Sequence, residues 1–352
     1  MDRKNRNYME ANRSFLRKNA RLLYILAGVL LVLWFLPSRT VITSGEEDLW
    51  NRVRSAQDYM YEWRSSNGME SDREHDQWET GLIGIEWSPV TTTLGSLESK
   101  RTACDPRWSI VTSRWFEGLG LSEGDPIAVY SSGSFPGLLL NVLCSAEDRG
   151  LDIFLVVSLG SSTWGANIPG LLWPDMGDLL RNAGFISTVA SFYTPGGGAE
   201  SGRGLSPEGL GIIQEAAENR KVEMILTDSL EEMIETKVDL LEEKKVRVLV
   251  NIGGSASSLG TDEEILKLQG GLLMPSDGSS AGNGVIAGAL ERDIPVIHFL
   301  DLNGLCLKTG VPYDSKPGRT ISRWKFPFFS LAGIAIFLVI VAKYRRWGKI
   351  KL

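Results

Sequence analysis

The sequence predicts an α/β protein built on a doubly wound, mostly parallel sheet of the Rossmann or flavodoxin type. Short apolar runs of strand length alternate with stretches of helical periodicity, and several of these runs end in loops of glycine and serine. Because such loops follow the carboxyl ends of parallel strands, they are expected to meet along one edge of the sheet. In open α/β folds this is the edge where ligands bind.

The clearest strand–helix–strand unit spans residues 125–170. An apolar run at 127–130 suits a buried strand, and apolar residues at helical spacing follow the loop after it. Ser134 is a candidate N-cap for that helix, and Pro136 suits its first turn because the missing N–H would be unpaired there. A second apolar run, at 152–158, also ends in small polar residues. The pattern predicts two parallel strands joined by a helix.

The same alternation continues on both sides of this unit. Capping residues and helical periodicity predict a helix over residues 46–66 that starts at Ser44 or Gly45, a broken helix over 171–183, and helices over 106–119, 207–219, 229–244 and 285–292. Apolar runs predict strands over residues 186–192, 224–226, 246–252 and 295–300. Residues 194–209 form a long glycine-rich loop in this interpretation. The first helix carries an apolar stripe, which is expected to pack against the body or against a partner's helix.

The net charge of −6 conceals an uneven distribution. Residues 1–21 carry seven Lys or Arg and two acids, and residues 343–352 carry five Lys or Arg and no acid. Of the 37 basic and 43 acidic residues, 25 and 41 therefore lie between them, a net of −16. A middle region this acidic argues against nucleic acid, and against any polyanion held by bulk charge.

Two apolar runs, at residues 22–36 and 326–342, bracket the acidic region. Both are shorter than the roughly 20 residues of a membrane-spanning helix, but flanking Arg, Lys and Trp side chains can reach the interfaces. We interpret both as transmembrane helices. The alternative for the first run is a cleaved signal peptide, which its long basic lead and lack of a small-residue cleavage site oppose. The alternative for the second is a buried core helix.

These features predict six segments, in a protein of the cell membrane. They are a cytoplasmic basic tail (1–21), a transmembrane helix (22–42), a helical or irregular extension (43–110), an extracytoplasmic α/β domain (111–323), a second transmembrane helix (324–342) and a second cytoplasmic basic tail (343–352). Positive charge outside both apolar runs places both termini in the cytoplasm. The acidic domain then lies on the outer side of the lipid bilayer.

Neither a metal nor a cofactor is predicted. The chain has two histidines and no Cys or His spacing typical of zinc, and no loop matches a nucleotide-binding fingerprint. The three cysteines, Cys104, Cys144 and Cys306, allow one disulfide and leave one thiol over. Cys144 lies on the apolar side of its predicted helix and is interpreted as a core residue.

The loops after the predicted strands supply the candidate ligand-binding residues. These loops resemble phosphate cradles in composition, since each is rich in glycine and serine. The candidates are Ser132, Ser134, Ser161, Ser162, Asn167, Gly253, Gly254 and Ser255. Lys100 and Arg101 follow a hydroxyl-rich run and form a second candidate anion site. The plainer alternative, favoured because pairs of charged residues usually face water, is a solvated connecting segment.

A catalytic site is left open. Ser134 is a candidate nucleophile at a strand-to-helix turn, with His298 as its base and Asp301 as the group that orients the base. The alternative for His298 is a buried imidazole with its hydrogen bonds satisfied, and the alternative for Ser134 is the helix cap.

Several strings of the sequence resemble the poly-gamma-glutamate system protein family. They occur in matching order over residues 80–310, and are TTTLGSLESKRT, SSGSFPGLLLNVLCSAE, SLGSSTWGANIPGLLWPDM, GRGLSPEG, VNIGGSASSLG and IPVIHFLDLNGL. The resemblance implies membrane placement and a part in bacterial capsular poly-γ-glutamate production. It implies as partners the membrane subunits that synthesise or export the polymer, and it does not imply an active site.

The expected function is that of an accessory component of poly-γ-glutamate synthesis or export. Loops at the carboxyl edge of the sheet are expected to bind polymer ends, glutamate, another small anion or synthase subunits. The alternatives are an extracytoplasmic serine hydrolase or transferase acting on γ-glutamyl bonds, and a tethered receptor for a small ligand.

Overall fold

The computed structural model describes residues 24–26, 28–30, 32, 40–69, 71–321 and 331–339. Ile42–Ile321 form one compact body, and Met1–Val41 with Ser322–Leu352 form a second unit. Within the described residues, no helix has both the length and the apolar character needed to cross a membrane. Both basic tails, and most of the two predicted transmembrane segments 22–42 and 324–342, lie outside the described residues.

The body alternates strands and helices along the chain. Its strands are β1 (Thr91–Thr93), β2 (Pro126–Ser132), β3 (Asp152–Ser158), β4 (Ser161–Ser162), β5 (Phe192–Thr194), β6 (Val248–Ile252), β7 (Gly271–Leu273) and β8 (Val296–Phe299). Its helices are α1 (Ser44–Ser66), α2 (Leu97–Ala103), α3 (Arg107–Gly118), α4 (Pro136–Asp148), α5 (Trp173–Asn182), α6 (Pro207–Glu218), α7 (Leu230–Glu243), α8 (Ala256–Leu259), α9 (Val285–Glu291) and α10 (Leu302–Thr309). Glu263–Lys267 and Pro275–Ser280 are 3₁₀ helices, and Thr320–Ile321 is a further strand of two residues. The second unit contains another two-residue strand, Thr40–Val41.

In the described part of the chain, six strands form one sheet in the order β5-β3-β2-β6-β8-β7. All neighbours are parallel except β7, which pairs antiparallel with β8 at the edge. The chain moves outward from β2 through β3 to β5 and then returns to place β6 on the other side of β2. The strand order therefore reverses between β2 and β6, and this switch point is where open α/β sheets bind ligands. The predicted fold class is confirmed for the body.

The central strands are buried on both faces of the sheet. Along β2, Ile127 and Val129 pack into one apolar cluster, whereas Ala128 and Tyr130 pack into another. Successive strand residues point to opposite faces, so a continuous apolar run is what helices on both sides require. Residues 42–110 belong to the same body, since the apolar stripe of α1 is buried in the first of these clusters.

The predicted third strand, residues 186–192, is wrong over most of its length. The carboxylate of Glu147 accepts hydrogen bonds from the backbone N–H groups of Ser187 and Thr188, so these groups are not available to a sheet. The strand begins only at Phe192. The strand predicted at 224–226 is reduced to a single bridge to Tyr193.

Candidate functional site

A cavity of about 580 Å³ opens beyond the carboxyl ends of β2 and β6, at the switch point of the sheet. Its walls come from residues 92–100, 132–135, 158–162, 196–200, 254–256 and 300–303. Five of the predicted ligand-binding residues line it, namely Ser132, Ser134, Ser162, Gly254 and Ser255. The expectation that small-residue loops converge on one edge holds for these five residues.

The other three predicted residues support the walls from behind. The Ser161 hydroxyl is buried and donates to the carbonyl oxygens of Ser162 and Gly133 at 2.9 and 3.2 Å. The buried Asn167 amide binds the backbone N–H and carbonyl of Ile85, and it also donates to the Thr91 hydroxyl. Gly253 donates its N–H to the Phe299 carbonyl.

Ser134 links two of the converging loops and is not the helix cap predicted for it. The N-cap of α4 is Phe135, which makes no side-chain capping bond, although Pro136 starts the helix as expected. The Ser134 Oγ instead accepts hydrogen bonds from the Ser132 hydroxyl at 2.8 Å and from the backbone N–H of Ser162 at 2.9 Å. The Ser134 hydroxyl therefore binds Ser162, a residue distant in the sequence, and not a backbone N–H of the first turn of α4.

The loops at 131–134 and 160–167 approach each other so closely that a glycine is required. A Cβ added to Gly165 would lie 2.2 Å from the Ser161 Oγ and 2.8 Å from the Cα of Ser134. The neighbouring Ala166 donates its N–H to the Gly133 carbonyl at 2.8 Å. This contact holds Ser162 against the strand-to-helix turn after β2.

Lys100 is the buried cation of the cavity wall. It lies on α2, whose N-cap Ser96 accepts a hydrogen bond from the backbone N–H of Ser99, and it is 3% exposed. Its Nζ is 2.5 Å from the carbonyl oxygen of Ser134 and 2.6 Å from the Ser162 Oγ. The same Nζ is 3.8 Å from the centre of the Phe135 ring.

The environment of Lys100 disfavours its charged form. Burial lowers the pKa of Lys100 to about 7, since an ammonium group loses the water that stabilises it. Among the described residues, Lys100 forms no ion pair with a carboxylate. The side chain can therefore exist as an amine or as an ammonium near neutral pH.

Arg101, the next residue, turns away from the cavity. Its guanidinium forms a two-pronged ion pair with Asp314, with both N–O distances at 2.7 Å. This partner raises the pKa of Arg101. Both cations of the predicted pair are buried, so the alternative of a solvated connecting segment is wrong. The predicted two-cation anion site is wrong as well, because only Lys100 reaches the cavity.

A second buried cation lies behind the glycine-rich wall. Lys237 of α7 binds both carboxylate oxygens of Glu200, at 2.7 and 2.9 Å, and the two side chains are 2% and 1% exposed. The hydroxyls of Ser158 and Ser257 also donate to this carboxylate. Burial alone would raise the pKa of Glu200, but the Lys237 ammonium and these hydrogen bonds hold that pKa below its ordinary value.

The Glu200–Lys237 pair fixes the shape of one cavity wall. Glu200 lines the cavity and has a left-handed backbone with φ of 55°. The Tyr130 hydroxyl donates to the backbone carbonyl of Lys237 at 2.8 Å, which ties α7 to the central strand. Because Lys237 is paired with Glu200, Lys100 is, among the described residues that line the cavity, the cation left for an incoming ligand.

His298 is not brought to Ser134. It lies on β8, is 1% exposed, and does not line the cavity. Its Nδ1 accepts from the Asn251 amide at 3.0 Å, and burial lowers the pKa of His298 to about 4. Asp301 does line the cavity, but its carboxylate caps α10 by accepting from the Gly304 N–H. The predicted Ser134–His298 pair is therefore not formed.

The described cysteines and acidic residues provide neither an exposed thiol nor a metal-binding cluster. Cys104, Cys144 and Cys306 are free and buried, and burial raises the pKa of each thiol to about 12. Cys144 is a core residue, as predicted. Within the described ranges, no group of three or more His, Cys, Asp or Glu side chains is placed to hold a metal ion.

Sequence reasoning missed Glu200 and Lys237, and only one of them left a signal. Lys237 is spaced four residues from Met233 and from Leu241, both buried, so the helical period places it on the apolar face of α7. A lysine at such a position needs a buried partner. Nothing local to Glu200 distinguishes it from a solvated loop residue.

Neither the family models nor the curated proteins compared with the chain give a match. Function is therefore inferred from the chemistry of the cavity and from the sequence strings described above. The cavity offers hydroxyl groups, glycine backbone and one lysine whose charge depends on pH, and its carboxylates, Glu200 and Asp301, are engaged by Lys237 and by the N-terminus of α10. It is suited to a small group that carries negative charge or a carbonyl.

Proposed function

We propose that this protein is a membrane-anchored accessory component of poly-γ-glutamate synthesis or export, and that its cavity holds the carboxylate of a chain end or of another small anion. The single observation that carries the binding role is Lys100, a buried lysine with no carboxylate partner among the described residues, in the wall of a hydroxyl-lined cavity. A carboxylate beside it supplies the missing counter-charge, and charge-assisted hydrogen bonds of this kind are strong.

The size of the cavity and the charge of the body favour a chain end over a long polymer segment. A volume of about 580 Å³ lies in the range of small-ligand sites. The acidic middle of the chain, with its net charge of −16, repels an extended polyanion over a broad surface. An anion is therefore attracted only close to Lys100, where the positive charge of the ammonium group exceeds the negative potential of the surrounding body.

Membrane anchoring is supported by the composition of the two ends. Described apolar residues of both terminal segments are exposed, among them Ile25, Val32, Leu338 and Val339. Exposed apolar side chains are expected where lipid replaces water. The basic tails outside both apolar runs favour cytoplasmic termini and an extracytoplasmic body.

Association with a synthase or exporter rests on the resemblance to the poly-gamma-glutamate system protein family. In a producing strain, the tagged full chain is expected to co-purify with the synthase membrane subunits from detergent extracts. Deletion of the chain is expected to reduce the amount or the length of exported polymer. Normal export from the deletion strain would rule out this role.

Binding of a carboxylate is expected to weaken as pH rises through about 7, since a proton on Lys100 is part of the bound state. Affinity should fall by up to about tenfold for each pH unit above that value. The measurement is calorimetric titration of the detergent-solubilised chain with glutamate and with γ-glutamyl-glutamate at pH 6, 7.5 and 9.

Two variants control the binding experiment. Lys100→Met should abolish the pH dependence and most of the binding, whereas Lys244→Met, at an exposed position on the body, should leave both unchanged. Equal affinities at pH 6 and 9 would contradict a role for Lys100 in holding the anion.

A further inference from the structure

We propose that Ser162 and Lys100 form a nucleophile and general-base pair, which cleaves or transfers the acyl group of a γ-glutamyl amide in this cavity. The choice of a γ-glutamyl substrate rests on the proposed function, whereas the pair itself rests on the geometry of the site. The candidate pair that the sequence offers, Ser134 with His298, is separated in the structure, because His298 is buried outside the cavity that Ser134 lines.

The distance between the reacting atoms suits proton transfer. The Lys100 Nζ lies 2.6 Å from the Ser162 Oγ, within the range that activation of a serine by a neighbouring base requires. Lys100 is 3% exposed and Ser162 is 6% exposed, yet both line the cavity. The pair is thus shielded from bulk water and faces the space that a substrate would enter.

The base is held in position by groups other than the nucleophile. The carbonyl oxygen of Ser134 accepts a hydrogen bond from Nζ, and the Phe135 ring packs against the same atom. A nucleophile, a base and a third group that orients the base form the arrangement that recurs in serine hydrolases. Here the third group is a backbone carbonyl.

Ser162 is better placed for this chemistry than the other wall serines. The Ser134 Oγ already accepts two hydrogen bonds, and Ser134 meets Lys100 through its carbonyl. The Ser132 hydroxyl donates to Ser134. Among the described serines of the wall, Ser162 is the one whose hydroxyl is hydrogen-bonded to the Lys100 Nζ.

The protonation state required of Lys100 is available near neutral pH. A general base must be an amine, and burial lowers the pKa of Lys100 to about 7. In the amine form, the Ser162 hydroxyl donates to Nζ while an N–H of Nζ still donates to the Ser134 carbonyl. No other residue has to change its charge before the first step.

The reaction can be written with no co-reactant other than water or an amine. The Ser162 Oγ attacks the γ-carbonyl carbon, and its proton passes to Nζ. The carbon–nitrogen bond of the amide then breaks, the Lys100 ammonium returns that proton to the leaving amine, and an ester of Ser162 remains. Water, or the amine of another chain, attacks this ester by the same proton route, which releases a carboxylic acid or a new amide and restores Ser162.

Binding and catalysis should depend on pH in opposite directions. A carboxylate is held by the ammonium form of Lys100, whereas an amide is attacked with the help of the amine form. Turnover is therefore expected to rise as pH increases through about 7, over the range in which glutamate affinity falls. This difference separates the two proposals experimentally.

The test uses the full chain in detergent. A γ-glutamyl anilide serves as chromogenic substrate, and a fluorophosphonate is used to label a reactive serine. We expect release of the aniline and a phosphonyl adduct on Ser162, located by mass spectrometry of the wild-type protein. Ser162→Ala should abolish both, and Lys100→Met should reduce turnover at pH 8 by about 10²-fold or more, the usual effect of losing a general base.

The matched control is Ser122→Ala, at an exposed serine of the loop before β2, which should keep full turnover. Turnover or labelling that survives in Ser162→Ala would overturn the assignment. An adduct on another serine, or neither turnover nor an adduct in the wild-type protein at pH 9, would overturn it equally. In the last case glutamate binding at pH 6 would still support the proposed function.

Discussion

Replacing Lys237 with methionine is expected to lower the free energy of unfolding by about 3–5 kcal/mol, the usual cost of removing one member of a buried ion pair. The variant would leave the Glu200 carboxylate 1% exposed, with its two serine donors but without a counter-charge. Folding would then require either a buried unpaired charge or protonation of Glu200. Denaturant titration of the wild-type chain and of the variant measures the difference.

A second substitution should restore much of the loss. Glu200→Gln in the Lys237→Met background removes the uncompensated charge, so the double variant should be more stable than Lys237→Met alone. The comparison pair is Lys244 and Glu243, which meet at 2.9 Å but are solvent-exposed. Lys244→Met should cost no more than about 1 kcal/mol. A Lys237→Met variant within this margin would show that the buried pair is not what stabilises the wall.

The Glu200–Lys237 pair contributes to the free energy of unfolding over a defined pH range. The pKa of Glu200 is lowered in the folded chain, so the folded state holds this proton less tightly than the unfolded state. The stabilisation is therefore present above the ordinary carboxyl pKa and is lost as pH falls through the lowered value. The cavity wall formed by residues 196–200 should loosen over that acidic range.

The sheet was predictable because its signals are local and repeated. The strands β2, β3 and β6 are runs of apolar residues, and a run with no polar alternation is typical of a strand covered on both faces. The helices α6 and α7 begin after Ser206 and Ser229, and each serine caps its helix by accepting a backbone N–H. The cap at Ser206 was predicted, whereas Ser229 was predicted to lie within the helix. Periodicity and capping together fix such elements with little help from tertiary contacts.

Edge strands and irregular segments were not predictable for the opposite reason. The antiparallel strand Gly271–Leu273 has three residues and begins with a glycine, so nothing local favours it over a loop. Residues 186–191 have strand-like composition, but Glu147 from α4 takes the backbone N–H groups of Ser187 and Thr188. The partner in each case comes from a distant part of the chain.

The position of the cavity could be predicted, but the contacts of the side chains within it could not. Loops of glycine and serine after parallel strands converge on one edge for topological reasons, and five of the eight candidate residues line the cavity. Lys100 and Arg101 are adjacent and equally basic, yet one enters the cavity and the other pairs with Asp314. Each residue of a helix is rotated about 100° from the last, so the difference depends on how α2 docks.

Removing the charge of Lys100 is expected to stabilise the chain at low pH and not at high pH. The pKa of Lys100 falls from an ordinary 10.5 to about 7 on folding, so between these values the unfolded state binds more protons than the folded state. Wild-type stability should therefore rise with pH across this interval, by about 1.4 kcal/mol for each pH unit at most. The stability of Lys100→Met lacks this dependence on pH, because methionine does not titrate.

The variant also gives up two hydrogen bonds from Nζ, each worth about 1 kcal/mol. Lys100→Met should accordingly be the more stable protein at pH 6, by about 2–3 kcal/mol when both effects are combined, and the less stable one at pH 10. Denaturant titrations of both proteins at the two pH values measure the change in sign, and a difference that does not vary with pH would contradict the burial of an ionisable amine. A sign change would mean that the cavity keeps a lysine that weakens the fold at neutral pH, which is expected where a residue is retained for binding or catalysis and not for stability.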